Sequence, residues 1–153
     1  MNSLGVHIKV RDFGKSRAFY QSLGFKPVFS YGPDQQVIED YSGVVYEING
    51  AHLEIASGHR AVKPEVFAQP VASSKISLML KVNSLKPIVS RCTKFHIPIA
   101  VNPRHYYWGT LEMVIKDPDG TVLVFIAPYS PEEAKALKAD ESMSTPPKQK
   151  GIN

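Results

Sequence analysis

Hydrophobic and polar positions alternate near the start of the chain. Within Gly5 to Val10, valine and isoleucine alternate with histidine and lysine, the period-two pattern of a strand whose two faces meet different surroundings. Asp12 follows as a suitable N-cap, apolar residues then recur at helical spacing, and Gly24 suits the left-handed end of a helix. The pattern therefore predicts a strand followed by an amphipathic helix.

Three more strands are predicted after this helix. Apolar runs cover 25–31 and 41–48, with Gly32-Pro33-Asp34 as a turn between them. Asn49-Gly50 is a strong signal for a tight hairpin, and it leads into the run 51–56. The first part of the chain therefore has the predicted order strand, helix, strand, strand, strand.

The second half of the chain repeats this order. Val82 closes a strand-like run as Val10 does, 72 residues earlier, and Asp119-Gly120 precedes a last strand as Asn49-Gly50 does, 70 residues earlier. The helix of this second unit carries Cys92 on its apolar stripe, where packing is the expected role of a thiol. Two copies of one unit that differ by two residues in a middle loop would explain most of the chain.

The segments outside the repeat have a different character. The bridge 57–74 holds two prolines and no clear period, which predicts a surface crossover. Ser130-Pro131-Glu132-Glu133 is typical of a capping box and predicts a short helix to about Ala139. The polar remainder 140–153 is predicted to be mobile, with coverage of a binding cavity or a partner subunit as the alternative.

Composition limits the classes of protein that fit. The 153 residues are 43% hydrophobic and 21% charged, which suits one globular domain at 1–128 with a C-terminal helix and tail at 129–153. No apolar run approaches the roughly 18 residues of a membrane span, and the N-terminus lacks an export-signal pattern, so we expect a cytoplasmic protein. The net charge of +4 is scattered along the sequence, which argues against nucleic-acid binding. A lone cysteine excludes an intramolecular disulfide.

Two motifs at corresponding ends of the repeat point to a family. They are Val10-x-Asp12-x-x-x-Ser16-x-x-Phe19-Tyr20-x-x-Leu23-Gly24-Phe25 and Asp117-Pro118-Asp119-Gly120. Together they resemble the vicinal oxygen chelate superfamily, which includes glyoxalase I, extradiol dioxygenases, and fosfomycin- and bleomycin-resistance proteins. The resemblance spans about 4–128. It implies an α+β fold of two βαβββ modules, 4–56 and 75–128, whose curled mixed sheets carry outer helices and form a concave ligand cup.

The resemblance also implies where a metal would bind. Enzymes of the superfamily generally hold a divalent ion through one residue on the first strand and one on the last strand of each module. Carried onto this chain, those positions are His7 and Glu54 in module one, and Met79 and Val124 in module two. Imidazole and carboxylate suit zinc, iron or manganese, whereas a thioether is soft and valine donates nothing. The metal set His7 and Glu54 is therefore incomplete.

Strand parity indicates which side chains share the concave face of module one. His7 lies on one face of its strand with Lys9, and Glu54 lies on one face of its strand with His52. The apolar neighbours on both strands would pack under the helix. The equivalent face of module two, with Met79 and Val124, is much less polar, so the cup suits an organic ligand with one charged end.

Other candidate positions lie on the predicted hairpin of module two. Tyr107 and Trp108 belong to a basic and aromatic stretch at the expected rim, where their rings suit a flat or cationic ligand, although hairpin packing explains them equally well. Glu112 has a parity that would let it complete a three-ligand set with His7 and Glu54. The alternative is that Glu54 compensates the charge of a neighbouring His7 or Lys9.

Three classes of function remain open at this point. The favoured one is a glyoxalase- or bleomycin-resistance-like protein that binds a small organic molecule in its cup without an obligatory metal. The alternative is a metal-dependent lyase or ring-cleaving dioxygenase that uses His7 and Glu54, and a non-binding interaction module is the third. No catalytic residue is assigned. The resemblance further implies a homodimer, which would also cover the exposed edges of the sheets.

Overall fold

The computed structural model describes residues 4–58 and 76–147. In the first half of the chain, the elements are β1 (Gly5–Lys9), α1 (Phe13–Ser22), β2 (Pro27–Tyr31), β3 (Gly43–Ile48) and β4 (Ala51–Ala56). In the second half, they are β5 (Ser77–Lys81), α2 (Lys86–Lys94), β6 (Ile99–Tyr106), β7 (Thr110–Lys116), β8 (Val122–Pro128), α3 (Pro131–Leu137) and β9 (Asp140–Met143). Most of the crossover predicted at 57–74 lies outside the described residues. None of the described helices has the length and apolar character needed to cross a membrane.

The first compact unit consists of one four-stranded sheet, one helix and the turn 117–120. The strand order is β1-β4-β3-β2, with β1 parallel to β4 and the other neighbours antiparallel. Asn49 and Gly50 both have positive φ, at 49° and 82°, as the predicted tight hairpin between β3 and β4 requires. The βαβββ order predicted for module one is confirmed.

The core of the first unit lies between α1 and one face of the sheet. Alternate residues of β3 and β4, among them Tyr46 and Ile55, are fully buried on this face. The Tyr20 ring of α1 lies edge-on to Phe25 at 5.3 Å and 6.0 Å from the Tyr46 ring. Asp12 caps the helix as predicted, since its carboxylate accepts the Lys15 backbone N–H at 2.9 Å.

The turn 117–120 is fastened to the first unit by buried and exposed bonds. Tyr20 donates its hydroxyl hydrogen to Asp117 Oδ2 at 2.9 Å, and Asp117 Oδ1 accepts the Asp119 backbone N–H at 2.9 Å. At the surface, Arg11 Nε lies 2.6 Å from Asp119 Oδ1. Burial first, and then the charge of Asp117, raise the pKa of the Tyr20 phenol. The Asp117 carboxylate therefore accepts hydrogen bonds both from α1 and from within the turn.

The second compact unit repeats the topology and extends it. Its sheet has the order β5-β8-β7-β6-β9, with β5 parallel to β8 as β1 is parallel to β4. Leu111, Met113 and Leu123 are fully buried in its core, together with Cys92 of α2 at 2% exposure. Burial raises the pKa of the Cys92 thiol, which fits a packing role rather than a nucleophilic one.

The C-terminal helix begins as predicted but uses its acidic residues differently. Ser130 is the N-cap and accepts the Glu133 backbone N–H at 3.3 Å. The Glu133 carboxylate is buried and turns away from its own helix. Its Oε1 accepts hydrogen bonds from the backbone N–H groups of Leu85 and Lys86, at 2.6 and 3.2 Å. A side chain of α3 therefore satisfies the free N–H groups that begin α2.

The chain after α3 forms a strand where the sequence predicts a mobile tail. β9 runs parallel to β6 and becomes the fifth strand of the second sheet. Arg104 Nε lies 3.0 Å from Asp140 Oδ2, and His105 Nδ1 lies 2.6 Å from Glu141 Oε2. The Met143 carbonyl accepts the Tyr107 N–H at 2.9 Å. Residues 140–143 therefore form a strand that the sequence does not predict, because charged partners on β6 compensate for a polar sequence with little strand propensity. The end of the predicted tail, 148–153, lies outside the described residues.

Candidate functional site

The face of the first sheet opposite α1 carries its polar side chains. His7 lies directly opposite Glu54 in the parallel pair of β1 and β4. On the same face, Gly5 lies opposite His52, and Lys9 lies opposite Ala56. His7 and His52 are exposed, whereas Lys9 and Glu54 are half-buried. The structure therefore brings together the four residues that parity assigns to one face of module one.

Glu54 is held by a residue that sequence analysis did not single out. The Tyr31 hydroxyl of β2 donates to Glu54 Oε1 at 2.5 Å. To reach β4, the Tyr31 side chain crosses β3 at Gly43, its direct partner in the antiparallel pair. A Cβ atom at position 43 would overlap the Tyr31 ring, so only glycine leaves room for this crossing.

An aromatic cluster surrounds this hydrogen bond. The Phe29 and Tyr31 rings lie 6.0 Å apart, and Tyr41 meets Tyr31 edge-on at 5.6 Å. Burial first, and then the hydrogen bond and negative charge of Glu54, raise the pKa of Tyr31. The phenol therefore stays protonated at neutral pH and remains a donor to Glu54. Rings beside a carboxylate form a surface that contacts an organic ligand through both apolar and polar groups.

A second ionisable pair lies at the other end of the same face. His52 Nε2 and Glu47 Oε2 are 3.9 Å apart, and both side chains are about half exposed. Solvent screens a pair of this kind, so its contribution to stability is small. The residues of this face are His7, Lys9, Phe29, Tyr31, Glu47, His52 and Glu54, and we call it the Glu54 face.

The corresponding face of the second sheet has a different chemistry. Met79 and Val124 are direct partners across the parallel β5 and β8, the positions equivalent to His7 and Glu54. Met79 is 68% exposed, so this thioether belongs to the open face and not to the core. Val114 continues the apolar surface as the β7 partner of Val124. The structure therefore places a thioether and a valine side by side in module two, where module one has His7 beside Glu54.

Tyr107, Trp108 and Glu112 lie together at the β6–β7 hairpin. Trp108 stacks on Tyr106 with ring centroids 4.5 Å apart, and Tyr107 meets Trp108 edge-on. Glu112 Oε1 accepts hydrogen bonds from Trp108 Nε1 at 3.0 Å and from Thr110 Oγ1 at 2.7 Å. Both Tyr107 and Trp108 remain about half exposed. The hairpin therefore combines internal packing with an accessible aromatic surface.

The residues at the four implied ligand positions can be compared with the requirements of a metal site. Two of the four equivalent positions, His7 and Glu54, carry ligand chemistry, and the other two carry a thioether and a methyl-bearing side chain. Across residues 4–58 and 76–147, no three His, Cys, Asp or Glu side chains come together as a metal site. Glu112, the third ligand considered from sequence, instead accepts hydrogen bonds from Trp108 and Thr110 in its own hairpin. Catalytic zinc sites use three protein ligands, so the residues present do not fit such a site.

A duplicated βαβββ unit with a polar open face in one copy defines a vicinal oxygen chelate fold. The family model of the glyoxalase/bleomycin resistance protein/dioxygenase superfamily matches residues 5–125. The chain belongs to this superfamily.

Several solved structures share this fold. A bleomycin resistance determinant encoded on the transposon Tn5 is 25% identical, with a TM-score of 0.55 over 82% of this chain and 97% of that one. A bleomycin-binding protein in complex with bleomycin is 24% identical, with a TM-score of 0.54 over 84% and 98%. A FosX mutant from Listeria monocytogenes, in complex with Mn(II) and a dihydroxypropylphosphonic acid, is 13% identical, with a TM-score of 0.60 over 86% and 94%. No curated protein matches the chain.

Proposed function

We propose that the protein binds a small organic molecule on the Glu54 face and does so without an obligatory metal. The observation that carries this proposal is the Tyr31–Glu54 hydrogen bond, which holds a half-buried carboxylate among aromatic rings. A carboxylate fixed in this way is an oriented acceptor for a ligand. The similar bleomycin-binding protein, solved in complex with bleomycin, supports a ligand-binding role for the fold.

A panel of small aromatic amines and aromatic carboxylic acids tests the binding proposal. We expect at least one compound class to cause saturable shifts in the ¹⁵N-resolved amide signals of β1 and β4. Glu54→Gln should weaken this binding about tenfold or more, because a hydrogen bond to a charged group contributes about 1.5–3 kcal/mol. Glu47→Gln is the matched control, since Glu47 is a carboxylate on the same face that Tyr31 does not contact. Equal affinity in both variants would contradict the proposed role of Glu54.

The second candidate function is a metal-dependent lyase or dioxygenase in which His7 and Glu54 hold the ion. It is favoured by their direct pairing across β1 and β4 and by Mn(II) in the similar FosX structure. Such an ion would supply Lewis-acid polarisation of adjacent substrate oxygens.

Elemental analysis of the purified full-length chain separates the two candidates. We expect less than one metal ion per chain, unchanged by His7→Ala or Glu54→Ala, because two protein ligands hold a hard divalent ion weakly. His52→Ala, which removes an exposed imidazole of the same face, controls for nonspecific loss. One metal ion per chain that is absent from both His7→Ala and Glu54→Ala, and retained in His52→Ala, would replace the first proposal with the second.

We further propose that the protein forms a homodimer. β2 is an edge strand of the first sheet, and its Val28 and Phe29 side chains are 57% and 47% exposed. Edges of this kind are usually protected, as β9 protects β6 in the second sheet. Light scattering coupled to size-exclusion chromatography should give twice the 17.0 kDa chain mass. A mass of one chain at micromolar concentration would contradict a stable dimer.

A further inference from the structure

A cleft lies on the helix-bearing side of the first sheet, opposite the Glu54 face. Phe13 and Arg17, one helical turn apart on α1, form one wall. The other wall is formed by Ser30 and Tyr31 at the end of β2, by Ser42 and Gly43 at the start of β3, and by the loop 32–35. We call it the Arg17 cleft. All of its walls belong to the first unit.

Arg17 is a half-buried cation without an anionic partner. Within the described part of the chain, no carboxylate forms an ion pair with its guanidinium, and no side chain or carbonyl accepts a hydrogen bond from it. The guanidinium charge also acts on a buried neighbour. Burial raises the pKa of the Tyr46 phenol to about 12, and the positive charge of Arg17 partly offsets this rise. A guanidinium that is partly desolvated and unpaired is costly unless an anion compensates it.

Further hydrogen-bond donors line the same cleft. The side chains of Ser30, Ser42 and Gln35 form no hydrogen bond with any residue that the structure describes. The loop that carries Gln35 is fixed by its own backbone, since Gln35 N–H donates to the Gly32 carbonyl at 3.2 Å and Gly32 N–H donates to the Val37 carbonyl at 3.0 Å. The cleft therefore presents a guanidinium, two hydroxyls and an amide from two ordered walls.

We propose that the Arg17 cleft is a second binding site, specific for a small oxyanion group such as a phosphate or a carboxylate. The guanidinium fork matches the oxygen geometry of either group, and the serine hydroxyls add donors to its free oxygens. Asp34 lies in the loop wall and is exposed, so its charge opposes an anion and limits the affinity. Tyr31 also lines the cleft, but its hydroxyl donates to Glu54 on the opposite face. The groups that would bind the anion, on Arg17, Ser30, Ser42 and Gln35, do not belong to the Glu54 face.

Titration of the ¹⁵N-labelled full-length chain tests the proposal. Inorganic phosphate and acetate are added separately at constant ionic strength, with chloride as the compensating ion. We expect saturable shifts in the amide signals of Arg17 and the loop 32–35, with a Kd of about 1 mM for the tighter anion. Arg17→Gln should weaken this binding at least about tenfold. Asp34→Asn should strengthen it, since it removes the opposing charge without removing a donor.

A matched variant separates a site from a general charge effect. Lys15→Gln removes one positive charge from the same helix, but Lys15 is 77% exposed, pairs with Asp12 and does not line the cleft. Binding that is retained in Lys15→Gln, lost in Arg17→Gln and improved in Asp34→Asn supports the site. Shifts that stay linear in anion concentration, or that Lys15→Gln reduces as much as Arg17→Gln, would overturn it. Asp34→Asn keeps the test decisive if Arg17→Gln does not fold.

Discussion

Gly43→Ala is expected to lower the free energy of unfolding by about 1–3 kcal/mol and to separate Tyr31 from Glu54. The reason is steric, because an added Cβ would overlap the Tyr31 ring that crosses β3 at this position. Both residues are buried, so the ring has little room to move away. Urea denaturation measures the loss, and the tyrosine hydroxyl resonance or ligand affinity reports the separation from Glu54.

A double substitution identifies the cause of this loss. Tyr31→Ala removes the ring and carries its own cost, but Gly43→Ala should then cost little more. Tyr31→Phe is the matched control, because it keeps the ring over Gly43 and removes only the hydroxyl that donates to Glu54. Additive losses in the Gly43→Ala/Tyr31→Ala protein would show that the ring crossing is not the source of the effect.

Asp117→Ala is expected to destabilise the protein by about 2–4 kcal/mol. The substitution leaves the buried Tyr20 hydroxyl without its acceptor and removes the carboxylate that accepts the Asp119 N–H. Asp117 is 5% exposed, so water does not readily replace the lost bonds. Chemical denaturation of the full-length chain measures the difference in the free energy of unfolding.

The neighbouring aspartate provides the control for this prediction. Asp119→Ala removes the ion pair with Arg11, which is 82% exposed, and a hydrogen bond from the Arg11 backbone N–H at 3.2 Å. Each contributes about 1 kcal/mol or less, so the expected loss is smaller than for Asp117→Ala. Tyr20→Phe combined with Asp117→Ala should cost less than the sum of the two single changes, since both remove the same bond. Equal losses in Asp117→Ala and Asp119→Ala would indicate that only the turn matters.

The two copies of the βαβββ unit could be predicted from sequence because their signals are local. Each signal involves only a few neighbouring residues: the alternation before Asp12, the N-cap at Asp12 and the Asn49-Gly50 hairpin. The structure confirms all three. The pairing of His7 with Glu54 needed a further step. The resemblance and the parity of two strands placed them on one face, and the parallel β1 and β4 make them direct partners.

Tyr31 and Gly43 were missed because their contact depends on register across a long loop. Residues 32–42 separate β2 from β3, so no hairpin rule relates the two strands. A glycine within the predicted run 41–48 was the available signal, since a glycine inside a strand often marks a close approach of another group. Without the register, nothing in the sequence indicated which ring would lie over it.

The C-terminal segment illustrates the same limit. A capping box was predicted from Ser130 and Glu133, and the serine does cap its own helix. The Glu133 carboxylate instead accepts N–H groups at the start of α2, a stronger alternative that only appears once α2 and α3 are packed together. Likewise, Asp140 of β9 accepts a hydrogen bond from Arg104 of β6, and this pairing covers the outer edge of β6.

The sequence by itself determined the order of the elements, the duplication and the residue types on each face, because periodicity, caps and turns are encoded by near neighbours. Only the tertiary structure decided which partner each polar side chain takes. Tyr31 with Glu54, Glu133 with the start of α2, and the unpaired Arg17 beside its cleft all depend on residues distant in the chain. Hydrogen bonds require atoms to meet within about 3 Å, and packing alone brings them to that distance.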